Sequence, residues 1–180
     1  MWANLKIGDK AIDFHLTGTD DNSHSLSDYS TKYVAVIFCC NHCPVCPYVR
    51  DWEDRMVRIQ ADYEGKGLQL IAINVNDESE HPDDGFQNMK NRARENGFNF
   101  PYLRDGDQRV AKIYGAQRTP EVFLFDAGRV LRYHGAIDDN YRDPNAVKIS
   151  YLRNALDALV EVRDIQTPDT APVGCFIKWK

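Results

Sequence analysis

Two stretches of the chain are apolar almost without interruption: Tyr33-Val34-Ala35-Val36-Ile37-Phe38 and Leu68-Gln69-Leu70-Ile71-Ala72-Ile73-Asn74-Val75. Runs of β-formers without polar alternation belong to strands covered on both faces, as in the middle of a parallel sheet. Between them, Val49, Trp52, Met56, Ile59 and Tyr63 recur at spacings of three and four among charged residues, which predicts an amphipathic helix over 47–64 that stops at Gly65-Lys66-Gly67. Strand, helix, strand is a right-handed crossover unit. A second helix, started by His81-Pro82-Asp83-Asp84 and stopped by Asn96-Gly97, turns Phe86, Met89 and Ala93 inward. Pro101-Tyr102-Leu103 reads as a short strand, and a helix runs from about Gln108 to Tyr114. Glu121–Phe125 and Val130–His134 flank the hairpin turn Asp126-Ala127-Gly128-Arg129. A last helix, predicted to begin at Asp143-Pro144, buries Leu152, Ala155, Leu156, Leu159 and Val160.

 The periodic set on that helix is therefore Leu152, Ala155, Leu156, Leu159 and Val160. The elements alternate as in an α/β chain with a mixed sheet. No repeat or linker divides it, so 1–180 is expected to be a single domain, with 165–180 a C-terminal tail packed on it.

Composition narrows the function more than the fold. Twenty-two basic against 27 acidic residues leave a net charge of -5, with no basic field for a phosphate backbone, so no nucleic acid partner is expected. The start, Met1 to Asp9, has no apolar leader-like core, and no stretch approaches the ~18 apolar residues of a membrane span. The expectation is a cytoplasmic protein without a membrane partner.

The five cysteines are unevenly placed: Cys39, Cys40, Cys43 and Cys46 within eight residues, and Cys175 near the end. Clustered cysteines in a reducing compartment indicate redox or metal chemistry rather than structural stapling. Phe38-Cys39-Cys40-Asn41-His42-Cys43-Pro44-Val45-Cys46-Pro47 joins a buried strand to the start of a helix. A thiol there meets unpaired backbone N–H groups and the positive end of the helix dipole, so its pKa falls from ~8.5 toward roughly 3.5–7.5. A second thiol three residues on resolves the mixed disulfide, which makes Cys43 the candidate nucleophile and Cys46 the resolving thiol. Pro44 and Pro47 each suit the first helical position; a start at Pro47 would give the dipole to Cys46 instead.

The segment Phe38–Cys46 resembles, without gaps, the strand-to-helix segment of thioredoxins, with Cys43-Pro44-Val45-Cys46 on their CxxC. Thr119-Pro120-Glu121-Val122-Phe123-Leu124-Phe125-Asp126 resembles the thioredoxin-family segment whose proline follows a cis peptide bond and borders the CxxC. The content between Leu68 and Thr119, with Ile12–Leu16 and Ser25–Tyr29, resembles the redoxin (AhpC/TSA) branch that holds peroxiredoxins and TlpA/ResA-like proteins. Asn41-His42-Cys43-Pro44 and Gly174–Lys180 resemble a peroxiredoxin-like group described as thiol-disulfide isomerases or thioredoxin family proteins. The resemblance implies a thioredoxin-like three-layer α/β/α fold with a central mixed sheet, a peroxiredoxin/TlpA-type insertion and an N-terminal extension. Three positions depart from these families. Cys40 stands where peroxiredoxins place Thr or Ser, Ile37 where thioredoxins bury an Asp, and Val49 where TlpA/ResA-like proteins carry a Glu. Glu121 is then the candidate proton acceptor by position alone.

The expected function is a thiol-disulfide oxidoreductase that exchanges disulfides with protein or peptide substrates. Its reductant is a thiol such as thioredoxin or glutathione, and no cofactor is required. Thr119, Pro120, Pro44 and Val45 are the expected substrate-binding residues, with strand addition at Thr119. His42, Cys40, Cys175 and Glu121 are possible supporting residues; Cys175 either resolves a Cys43 disulfide or lies inert under the tail. Two alternatives stay open: a thiol peroxidase with Cys43 peroxidatic, and a metal or iron–sulfur module using Cys40, Cys43 and Cys46, although the fourth cysteine of ferredoxin spacing is missing.

Overall fold

The run Tyr33–Cys39 lies at the centre of the sheet because its residues are buried alternately on both sides: Ala35 and Ile37 face one layer, and Val34, Val36 and Phe38 the other. The computed structural model describes residues 4–41 and 49–180. In chain order, strands β1 (His15–Gly18), β2 (Ser23–Ser25) and β3 (Tyr33–Cys39) lead to helix α1 (Val49–Tyr63) and strand β4 (Leu68–Asn74). Helix α2 (Phe86–Glu95), strand β5 (Tyr102–Arg104) and helix α3 (Arg109–Tyr114) follow. Strands β6 (Arg118–Thr119), β7 (Glu121–Phe125) and β8 (Leu131–Gly135), helix α4 (Tyr151–Val160) and strand β9 (Cys175–Phe176) complete the chain.

Seven strands form one mixed sheet in the order β2-β1-β5-β4-β3-β7-β8. β3, β4 and β5 run parallel, while β7 joins β3 antiparallel. One face is covered by α1, α2 and α4 through Trp52, Met56, Ile59, Met89, Leu152, Leu156 and Leu159. The other is covered by α3, the N-terminal segment and the tail, through Phe14, Val110, Tyr114 and Ile177. Each fully buried aliphatic or aromatic side chain contributes about 1.5–3 kcal/mol, so both layers are held by burial against the shared sheet. The result is the three-layer α/β/α fold with a mixed sheet that the resemblance implies. Among the described residues, no helix is long and apolar enough to cross a membrane.

One helix starts later than the sequence predicts. Asp143-Pro144 opens only a 3-10 turn, Pro144–Ala146, with the Asp143 side chain accepting from the Asn145 N–H. The chain then extends at Val147, Lys148 N–H donates to Asp139 Oδ1 at 2.9 Å, and α4 begins at Tyr151. Of the predicted inward set, Leu152, Ala155, Leu156 and Leu159 are buried, while Val160, at the helix end, is only half-buried. Similarly, His81-Pro82-Asp83-Asp84 forms a 3-10 turn, Pro82–Asp84, before α2.

Candidate functional site

β3 and β4 are parallel, so their carboxyl ends open on the same edge of the sheet, the usual place for chemistry in α/β folds. There Cys39 pairs in register with Asn74, and Phe38 with Glu121 at the start of β7. His42, Cys43, Pro44, Val45 and Cys46 follow directly in sequence and lie outside the described residues, as does the choice between Pro44 and Pro47 as helix start.

The chain leaving β3 is anchored by a buried polar cluster. Asp84 is fully buried and accepts from the Asn41 backbone N–H at 2.5 Å, from Asn74 Nδ2 at 2.8 Å and from Asn76 Nδ2 at 3.1 Å. Tyr102 donates its hydroxyl to Asn41 Oδ1 at 2.7 Å and accepts from Asn74 Nδ2 at 3.1 Å. A buried carboxylate left without donors is costly, so the cluster fixes where the chain goes after Cys40. Sequence reasoning missed Asp84, Asn41, Asn74 and Tyr102 as a group. The available signal was Asn74, a polar residue that follows the apolar run Leu70–Ile73 at the end of a buried strand.

The two described cysteines of the cluster have different surroundings. Burial, reinforced by the neighbouring Cys40 sulfur, pushes the Cys39 thiol well above its ordinary pKa, so it stays protonated and is a poor nucleophile. Cys40 is buried with Sγ 3.1 Å from the Thr119 hydroxyl oxygen. Cys39 is a free thiol, whereas Cys175 is disulfide-bonded.

Thr119 and Pro120, joined by a cis peptide bond, stand beside this edge. The edge of Thr119 already carries a strand: β9 pairs antiparallel with β6, with Arg118 opposite Phe176 and Thr119 opposite Cys175. Gly174 permits that approach, because a Cβ there would sit 2.1 Å from the Thr119 carbonyl oxygen. Arg118 donates from Nη1 to the Gly174 carbonyl at 2.9 Å and stacks its guanidinium 4.0 Å over the Phe176 ring. Further on, the Ile177 N–H donates to the Gln117 carbonyl and the Lys178 N–H to Asn76 Oδ1, each at 3.0 Å. The tail is thus tied to both β6 and the Asp84 cluster.

Glu121 is buried just past Pro120, and both its oxygens are engaged. Oε2 accepts from the Gln117 and Arg118 N–H groups at 2.8 Å each, and Oε1 lies 2.8 Å from His134 Nε2. His134 Nδ1 reaches Asp169 Oδ1 at 2.7 Å. Burial disfavours the imidazolium, but the Glu121 and Asp169 carboxylates outweigh it and hold the His134 pKa above its ordinary value. In this arrangement Glu121 braces the turn before Pro120. Among the described residues, no group of three or more His, Cys, Asp or Glu is placed to hold a metal ion; Cys43 and Cys46 of the Cys40/Cys43/Cys46 set lie outside them.

Residues 7–134 match the AhpC/TSA family. The chain is 28% identical over 122 residues to the thiol-disulfide oxidoreductase ResA of Geobacillus thermodenitrificans, a match covering 68% of this chain and 64% of that protein, less than two thirds of its length. Two solved structures resemble it over nearly all of their length. A hypothetical protein from Sinorhizobium meliloti is 35% identical with a TM-score of 0.89, covering 98% of this chain and 96% of that one. An uncharacterized conserved protein from Geobacillus kaustophilus is 39% identical with a TM-score of 0.88, covering 98% and 93%.

Proposed function

Because the chain belongs to the AhpC/TSA family, we propose that it is a thiol-disulfide oxidoreductase, with Cys43 as nucleophile and Cys46 as resolving thiol. The observation that carries this is the position of Cys43-Pro44-Val45-Cys46 in the chain, after the carboxyl end of buried β3 and before α1. A thiol placed between a strand and a helix N-terminus gains thiolate character, and the thiolate is the attacking species. The name of the Geobacillus thermodenitrificans relative points the same way.

In the proposed cycle, the Cys43 thiolate attacks a substrate disulfide, a Cys43–substrate bond forms, and the departing thiolate takes up a proton. Cys46 then attacks the Cys43 sulfur and releases the second substrate thiol. The substrate gains two electrons and the CxxC pair loses two. Protein or peptide disulfides are the proposed substrates, bound near Thr119, Pro120, Pro44 and Val45, and a thiol such as thioredoxin or glutathione is the proposed reductant. A cytoplasmic location belongs to the same proposal and is checked by fractionation.

The test is insulin reduction with Cys43→Ser and Cys46→Ser variants. Cys43→Ser should lower turnover by at least ~100-fold, as expected on removing a nucleophile. Cys46→Ser should accumulate a mixed disulfide visible by mass. Unchanged turnover in Cys43→Ser rejects the assignment. A second reading, thiol peroxidase, is favoured by one observation: Cys175, remote in sequence, is disulfide-bonded, as a resolving cysteine would be. Peroxide consumption with a thiol donor separates the two.

A further inference from the structure

A cavity of about 150 Å³ lies between α1 and the start of α4, and its lining includes Arg55, Arg58 and Arg153, with Ser150 and a single carboxylate, Asp138. That carboxylate is already engaged: Arg55 Nη1 donates to Asp138 Oδ1 at 2.9 Å and Oδ2 at 2.7 Å, and to the Asn140 carbonyl at 2.8 Å. The Arg55 side chain is only 10% exposed, yet its Nε and Nη2 donors have no acceptor. The Trp52 ring, 4.6 Å from its guanidinium, supplies no lone pair. Buried donors left unmet are costly, so the site is short of an acceptor rather than of a cation. Arg58 is exposed and pairs with no carboxylate among the described residues, while Arg153 meets Asp62 Oδ2 at 2.7 Å. Ser150 precedes the ten-residue helix α4 and makes no side-chain cap bond, which leaves its hydroxyl for another partner at the positive end of the helix dipole. We propose that this cavity binds a doubly charged phosphate group, as the free ion or as the head of a small phosphate monoester. The site does not rest on the thiol function proposed above.

Charge and size together select that ligand. Guanidinium forks donate paired N–H groups to oxyanions in a fixed geometry, and a helix N-terminus adds backbone donors and a favourable dipole. Three guanidinium groups against one engaged carboxylate leave an excess of positive charge, which a dianion matches better than a carboxylate does. A phosphate group carries roughly 1.5 to 2 negative charges at neutral pH, together with several strong acceptor oxygens. Buried Ile59 and Ile137 form part of the wall, and apolar walls strengthen the field of the charges they flank. The volume admits the phosphate group but not a nucleotide, so any ester substituent must be small and project outward.

The test titrates inorganic phosphate into the full chain at neutral pH, followed by calorimetry. The expected result is saturable binding of one phosphate per chain, weakened at least about tenfold in Arg58→Ala, the scale of losing one charge-assisted hydrogen bond. Arg58 is exposed, so its loss should leave the urea midpoint without phosphate unchanged. Saturating phosphate should then raise that midpoint in the wild-type chain and not in Arg58→Ala. Arg153→Ala should weaken binding similarly, whereas Arg163→Ala, whose guanidinium pairs with Glu161 beyond the other end of α4, should not. Glycerol 3-phosphate separates the two sources: binding at least as tight as that of inorganic phosphate supports a monoester head group, and its exclusion supports the free ion. Acetate binding as tightly as phosphate overturns the choice of a dianion. Absence of saturable phosphate binding, or binding that the three arginine variants change equally or not at all, overturns the site.

Discussion

His134 links two carboxylates through its two ring nitrogens, and Glu121 passes that interaction to the backbone of Gln117 and Arg118. The sign of the pH dependence follows from the raised His134 pKa. Protonated imidazole gains its carboxylate partners only in the folded chain. The stabilisation is therefore complete below the ordinary histidine pKa and is lost as pH rises through the raised one. His134→Gln should cost about 2 kcal/mol near pH 5.5, the scale of a charge-assisted hydrogen bond, and much less near pH 9. Urea midpoints of both proteins at the two pH values check this; a gap that stays constant or grows with pH would refute it. At this scale the sequence was partly legible. The cysteine cluster and the Thr119-Pro120-Glu121 segment stand out because their chemistry is local. The Asp84 cluster does not, because Asn41, Asn74, Asp84 and Tyr102 are brought together only by strand pairing and by the turn before α2.

Elements were legible where burial dictates the pattern and less so where local caps do. β4 and β7 lie within the predicted segments, β3 runs one residue past its own to Cys39, and the hairpin of β7 and β8 falls where Asp126-Ala127-Gly128-Arg129 placed it, because continuous burial leaves a long apolar signature. The start of α4 was misread because Asp143-Pro144 satisfies a helix N-terminus locally, while Asp139 and Ile149 draw the chain into an extended segment first. β9 has two residues and no periodic signature at all; its pairing depends on Gly174 meeting the Thr119 carbonyl. Gly174→Ala should therefore displace the tail from β6. Trp179, under Lys112 at 5.5 Å, reports tail position by fluorescence. Limited proteolysis near the tail should accelerate about tenfold, equivalent to ~1.4 kcal/mol of lost docking, in the regime where cleavage follows the open population. Unchanged cleavage and an unchanged Trp179 signal would mean that the contact at Thr119 does not hold the tail.

At the scale of the molecule, the decisive feature is that both apolar layers are built on the same strands. Leu70 and Ile71 are adjacent on β4 and both fully buried, yet Leu70 faces the layer of α1 and α4 and Ile71 the layer of α3 and the tail. α1 is further tied to β4 by Gln60, whose Oε1 accepts from the Leu70 N–H at 2.7 Å. Losing either layer exposes one face of β3, β4 and β7, so neither layer has a stable sheet to rest on without the other. Leu70→Ala and Ile71→Ala should each cost about 2–5 kcal/mol, the usual range for emptying a buried aliphatic site. In both variants the transition should remain single. Fluorescence of Trp52, which lies in the α1 layer, and far-UV circular dichroism should then give the same denaturant midpoint even when the substitution is on the opposite face. Separate midpoints in Ile71→Ala, with Trp52 unfolding at the wild-type concentration, would show the layers to be independent. The carboxyl edge of β3 and β4 would then be supported from one side only. With coincident midpoints, the edge that carries Cys40, Asn41 and Thr119 is held by the full stability of the fold.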